Sequence, residues 1–311
     1  MRVLHLGLGR FFRAHQACYF ERLNQLPHGP GWTISAWSMR SPQAAESVGT
    51  KPYPVYVPAR EPSLVDGPPR GGTLLQVGAI QETGFIGTQQ DLLRERWLDP
   101  ELALVTLTVT EKGYAEPLFE LLRAGLEQRM SRRLAPVTLI SCDNLMDNGD
   151  RLRRGLLESA PGPLGDWLAE RCAFPNSVVD RIVPALDPSS LAAFASQAGI
   201  DPIEAPRLVV TEPFSLWVLE DRFASERPEL ERVGVQMVQR ALPYGRMKLG
   251  VLNLAHSWLA YTGLAREGTP ATFVHEASAD PGFTDVRRAR SGLARRGPGL
   301  NPSSGERGSL Q

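Results

Sequence analysis

Short apolar runs alternate with longer stretches of helical periodicity over the first part of the chain. "RVLHLGLG" is an apolar run that ends in glycines, "RFFRAHQACYFERLNQL" continues with helical spacing, and "WTISAWSM" reads as a second strand. Strand, glycine-rich turn, helix and strand open a βαβ unit. "TLLQVGAI" predicts a further strand and "TQQDLLRERWL" a helix. The β-branched runs "LALVTLTVT" and "PVTLISC" flank the helix-like "EPLFELLRAGLEQRMSRR". Strands apolar on both faces, alternating with helices, predict a parallel sheet covered on both sides: an α/β, doubly wound fold.

Beyond about residue 185 the pattern changes. "PSSLAAFASQAG" and "ERVGVQMVQRAL" predict helices around one strand-like piece, "RLVVTEPFSLWVLED", and "MKLGVLNLAHSW" reads as a buried helix. Residues 287–311 are rich in Arg, Gly, Ser and Pro and lack the large apolar groups a core needs. The expected organisation is a dinucleotide-type domain over 1–230, the start of a mainly helical, incomplete domain over 231–286, and a low-complexity tail. That tail is expected to be disordered or the product of a frameshift or truncated reading frame, with a basic binding arm as the alternative.

Composition narrows the partners. The 311 residues carry 34 basic and 34 acidic side chains, a formal net charge of zero, which gives no support to a nucleic-acid partner. Cys18, Cys142 and Cys172 show neither metal-ligand spacing nor a disulfide framework. No charged-then-apolar leader opens the chain, and no apolar run reaches the roughly 18 residues a membrane span requires. A soluble cytoplasmic protein is expected, of undetermined oligomeric state.

Gly7 and Gly9 fall directly after the first strand, where a dinucleotide fold makes its tight turn and brings backbone against a pyrophosphate. Arg10 and Phe11 open the following helix, and the third glycine of a full GxGxxG is replaced by Phe12. The second strand ends in "SMRS", without the acid that binds an adenosine ribose. Arg40 could meet a 2′-phosphate there or be a solvated surface arginine, which leaves NAD and NADP both open.

Three polar groups interrupt the apolar "MKLGVLNLAHSW". At 100° per residue, Asn253 sits about 140° and His256 about 80° from Lys248, so all three share one side of a helix. That side either faces water or lines a site. In oxidation of a secondary alcohol, a lysine serves as general base, amides hold the alkoxide-like oxygen, and a histidine orients the lysine or a substrate hydroxyl. The structural alternative has Lys248 snorkelling, Asn253 capping a loop and His256 satisfied in the core. "SCDNLMDNGD" places Asn144 and Asn148 just past a strand end, where open α/β sheets bind ligands. Asn148–Gly149 is also an ordinary turn signal, and Asp143 or Asn148 could cap the helix "GDRLRRGLLE".

Six stretches in order, "HLGLGRFFRAHQA", "TLTVTEKGY", "SCDNLMDNG", "FPNSVVDRIVPA", "EPFSLWVLEDRF" and "MKLGVLNLAHS", resemble the polyol-specific long-chain dehydrogenases, the family of mannitol 2-dehydrogenase and fructuronate reductase. The resemblance implies a Rossmann-type domain followed by a helical substrate domain, NAD as cofactor with NADP not excluded, a sugar or sugar-acid substrate, and no metal. It carries a Lys-x4-Asn-x2-His signature onto Lys248, Asn253 and His256, with Lys248 as general acid/base. Asn144 would partner Asn253 in polarising the carbonyl, and Asp180 would lie near the substrate. "VDRIVPA" looks more like the fructuronate reductases than the mannitol enzymes. Departures are Phe12 where relatives usually have His, Gly245 where they often carry an acid, and family-like sequence that stops near "TFVHEASADPGF". A truncated, inactive dinucleotide-binding remnant is the alternative reading.

Overall fold

The computed structural model describes residues 1–29, 31–58 and 71–253, the last three by their backbone. In chain order the elements are β1 (Arg2–Leu6), α1 (Arg10–Ala14), α2 (Gln16–Asn24), β2 (Thr33–Ser38), α3 (Pro42–Val48), β3 (Tyr53–Pro58), β4 (Gly72–Val77) and β5 (Ile80–Phe85). There follow α4 (Gln90–Trp97), β6 (Leu102–Leu107), α5 (Glu116–Ser131), β7 (Thr138–Ser141), α6 (Asn148–Ser159), α7 (Pro163–Arg171) and β8 (Ser177–Asp180). The last are α8 (Pro188–Gln197), β9 (Val209–Val210), β10 (Leu216–Glu220), β11 (Gln236–Val238) and α9 (Leu242–Met247). Met1–Gly245 forms one compact unit, and Arg246 begins a second.

A five-stranded, wholly parallel sheet in the order β5-β2-β1-β6-β7 is the centre of the first unit. Its faces follow the strand alternation. Val3, Ile34, Ala36, Leu104 and Ile140 pack with Phe20 and Leu23 of α2 in one core. Leu4, Leu6, Trp37, Val105 and Leu139 pack in another with residues of α4, α5, α6 and α7. The doubly wound expectation holds, and the chain reverses its direction of winding between β1 and β6, the switch point where such sheets bind ligands.

Local expectations fail in four places. "RFFRAHQACYFERLNQL" is two helices, because His15 leaves helical geometry (φ −118°, ψ −90°). "TLLQVGAI" splits after Val77: β4 pairs antiparallel with β3, while β5 joins the parallel sheet. The β5 sequence "IQETGF" hides its strand character behind polar edge residues satisfied sideways. Ser35 Oγ donates to Glu82 Oε2 at 2.6 Å, and Arg96 donates to both Glu82 oxygens at 2.6 and 2.9 Å. "RLVVTEPFSLWVLED" is interrupted, so that β9 pairs with β3 and β10 lies between β8 and β11. "ERVGVQMVQRAL" is not a helix: a short 3₁₀ turn, Leu230–Val233, stops at Gly234 (φ +96°), and β11 then runs parallel to β10. A left-handed residue of this kind ends helical winding.

Candidate active site at the carboxyl edge of the sheet

The turn after β1 is held by its neighbours on both sides. Gly7 and Leu8 donate their N–H groups to Trp37 O of β2 at 2.9 and 3.1 Å, and Thr108 Oγ1 donates to Gly7 O at 2.7 Å. Gly7 has φ +110°, and a Cβ there would lie 2.3 Å from Thr108 O. Glycine is required twice over, by dihedral and by space. Gly9 is different: the only atom near its ideal Cβ is Gly7 O at 3.6 Å, so the outer side of the turn is an open cradle. Arg10 is exposed, Phe11 is half-buried and stacks on His15 with centroids 5.0 Å apart, and Arg40 is exposed two residues beyond β2.

Beneath the turn lies a sealed polar layer that the sequence reading did not single out. Fully buried His5 meets Thr106 Oγ1 through Nδ1 at 2.8 Å and Thr108 Oγ1 through Nε2 at 3.1 Å. Thr108 spends its only hydroxyl proton on Gly7 O, so Nε2–H donates to Thr108 and the neutral Nδ1 accepts from Thr106. Burial pushes the His5 pKa from 6.5 down to about 3, which keeps the ring neutral. Phe12 stacks on His5 with centroids 3.4 Å apart and ring planes 7° apart. Thr106 near the end of β6 and Thr108 just past it, two residues apart, were the available signal.

The loop after β7 is held by side chains. Asn144 is exposed just past the strand end. Behind it Asp143 is buried, accepting from Ser141 Oγ at 2.9 Å and from Tyr114 Oη, which also meets Ser141 Oγ. Burial raises the Asp143 pKa from 3.8 to about 6, while the Tyr114 and Ser141 hydrogen bonds pull it the other way. Burial and the neighbouring Asp143 charge push the Tyr114 phenol well up.

Neither Asp143 nor Asn148 caps α6. Asp147 takes that position with φ +50° and no capping hydrogen bond. Asn148 is a clasp. Its amide donates to Ser141 O, Asp143 O and Ser177 Oγ at 3.2–3.3 Å, and its Oδ1 accepts from Ser177 N at 2.9 Å. Gly149 follows because the chain at Phe174 and Pro175 passes against it: a Cβ would lie 2.4 Å from Pro175 O.

Asp180 ends β8, paired with Leu216 of β10. In the second unit, Lys248 is buried. The segment Lys248–Asn253 is π-helical rather than α-helical. Winding closed by bonds five residues apart puts position 253 about one turn along from 248, not 140° round as α-helical spacing implies. His256 lies outside the described residues, as does the chain beyond it.

Residues 1–232 match the sequence profile of the mannitol dehydrogenase Rossmann domain. The chain belongs to the mannitol dehydrogenase family. It is 34% identical over 293 residues to an uncharacterised oxidoreductase of Escherichia coli, YeiQ, covering 84% of this chain and 58% of that one. It is 33% identical over 310 residues to mannitol 2-dehydrogenase of Cereibacter sphaeroides, covering 90% and 62%. Among solved structures, Pseudomonas fluorescens mannitol 2-dehydrogenase in ternary complex with NAD and D-mannitol superposes with a TM-score of 0.79 at 31% identity, covering 98% of this chain and 66% of that one. The chain thus spans less than two thirds of the length of these family members.

Two departures from the family pattern have local explanations. Phe12 is 1% exposed against His5, so the position packs. At Gly245, a Cβ would come within 2.9 Å of Met146 Sδ, so the thioether stands where a longer side chain would begin.

Proposed function

We propose that this chain is the dinucleotide-binding and proton-transferring part of an NAD(P)-dependent oxidoreductase that interconverts a keto-sugar or keto-hexuronate and its secondary alcohol. The observation that carries the proposal is the β1 turn, with Gly7 fitted under β6 and Gly9 open on its outer side. An open cradle at the first βα junction of a doubly wound sheet suits the close backbone approach of a pyrophosphate. NAD is the cofactor supported by the Pseudomonas fluorescens complex, and NADP remains compatible. When bound, the nicotinamide exchanges a hydride with the substrate carbon. Lys248 takes the hydroxyl proton on oxidation and returns it on reduction. Asn144 and Asn253 hold the developing oxyanion, His256 orients the lysine or a substrate hydroxyl, and Asp180 contacts the sugar. Gly7, Gly9, Arg10 and Phe11 form the pyrophosphate side, with Arg40 towards the adenosine.

The finer reading is reduction of fructuronate to mannonate, with fructose to mannitol second, on the strength of "VDRIVPA". A cytoplasmic location fits the three free thiols. The test is NADH oxidation by the purified chain with fructuronate and with fructose, beside Lys248→Ala. Turnover should fall by a factor of about 10²–10⁴ in the variant, the usual contribution of a general base. Binding of NADH without turnover in the parent would reduce the proposal to a dinucleotide-binding protein.

A further inference from the structure

Three arginines are buried among the described residues: Arg13, Arg129 and Arg181. Arg129 spreads its guanidinium over the carbonyl oxygens of Trp97, Asp99, Leu102 and Ala135 at 2.7–3.3 Å. Arg181 donates through Nε and Nη2 to Glu212 O and through Nη1 to Ala14 O. Arg13 has no such set. Among the described residues its guanidinium makes one hydrogen bond, to Arg207 O at 3.5 Å, and its guanidinium carbon lies 5.7 Å from the Tyr53 ring centroid. The ion pairs among the described residues do not include it. A buried cation with no counter-ion among the described residues is costly, and this one is only 8% exposed.

Arg13 lines a cavity of about 360 Å³, with Gly9, Arg10, Gln43 and Ser47 also on its walls and no acidic residue among the described lining residues. The volume is in the range that holds a small ligand. Burial pushes the Arg13 pKa down; Tyr53 pulls it up, and the charges of Arg10 and Arg207 push it down again.

We propose that this cavity binds a phosphate monoester, its oxygens taken by Arg13 with Gln43 and Ser47 at the mouth. A guanidinium presents a planar fork of donors that suits phosphate oxygens. The phosphate has two possible sources. One is the 2′-phosphate of a dinucleotide seated on the β1 turn, since α3 follows the strand end at which the adenosine ribose is read. The other is free phosphate or a phosphorylated sugar. The first source rests on the proposed dinucleotide site; the second does not.

The test is calorimetric binding of NAD⁺ and NADP⁺ to the full chain, with thermal unfolding in the presence and absence of inorganic phosphate. The parent is compared with Arg13→Met and with Ser47→Asp, which sets a carboxylate at the exposed mouth and keeps the assay open if the buried change prevents folding. The expected result is NADP⁺ binding at least tenfold tighter than NAD⁺, a preference lost in both variants while NAD⁺ binding stays within about threefold. Equal binding of the two dinucleotides, with phosphate raising the melting temperature of the parent alone, assigns the cavity to free phosphate. Equal binding together with a phosphate effect that is absent, or the same in all three proteins, overturns the proposal and leaves the dinucleotide site standing. Failure to bind either dinucleotide, with a phosphate effect confined to the parent, overturns the dinucleotide reading and leaves this one.

Discussion

The turn after β1 and the loop after β7 sit two strands apart on one edge of one sheet, and they are held by opposite means. Sterics and a neutral layer hold the first: Gly7 fits under Thr108, with His5, Thr106 and Phe12 sealed behind it. A buried carboxyl group, a phenol and the Asn148 amide hold the second. An edge built this way has one backbone cradle backed by a neutral histidine and one side-chain platform backed by a buried carboxyl group, with opposite responses to pH. The contrast fits the division of labour proposed above, in which one end grips a cofactor and the other polarises a carbonyl.

The largest effect should come from Gly7→Ala. It forces a side chain into a dihedral region that disfavours it and into a 2.3 Å contact with backbone, so a loss of more than about 3 kcal/mol is expected in urea unfolding, together with loss of dinucleotide binding. A fully stable variant would show that the turn is held by something other than sterics. Asn148→Ala should cost about 2–4 kcal/mol, since Ser177 N and the carbonyl oxygens of Ser141 and Asp143 lose a buried partner. Its damage should fall on the β7 loop, and binding at the β1 turn should survive in the folded fraction.

The smallest effect is also the most diagnostic. His5, lowered from 6.5 to about 3, contributes stability that is full above its unfolded pKa and is lost as pH falls towards 3. Asp143, raised from 3.8 to about 6, contributes stability that is full below its unfolded pKa and is lost as pH rises through 6. Between about pH 4 and pH 6 the two slopes oppose each other. In Asp143→Asn the His5 slope is no longer offset. Its unfolding free energy should therefore fall, relative to the parent, by about 1.4 kcal/mol more for each unit of acidification in that window. A difference that does not change with pH would mean that Asp143 keeps an ordinary carboxyl pKa.

The parts of this edge that show in the sequence are those with local signatures. A glycine pair after an apolar run marks the β1 turn, and the unbroken apolar "LALVTL" marks β6. Strand β5 stays hidden because Gln81, Glu82 and Thr83 lie on a sheet edge, where Glu82 meets Ser35 and Arg96 rather than the core. Asn148–Gly149 mimics a turn because local propensity cannot report the passing of Phe174 and Pro175 in space. Arg13 looks like any charged helix residue until tertiary packing buries it. At Lys248–Asn253 the polar positions are plain, but an angle taken from α-helical spacing fails where the winding is wider.

The clasp at Asn148 has a consequence for how this protein ages. An asparagine followed by glycine is the pair most prone to lose its side-chain amide, because the next backbone nitrogen can attack the side-chain carbonyl carbon. Here the Gly149 N–H points at Asn148 Oδ1, 2.9 Å away, and α6 together with the chain at Pro175 prevents the rotation that attack requires. The folded chain therefore shields its own weakest covalent site. In stored protein, the fraction of Asn148 converted to aspartate or isoaspartate, read by peptide mass spectrometry, should rise with time spent unfolded and not with age alone.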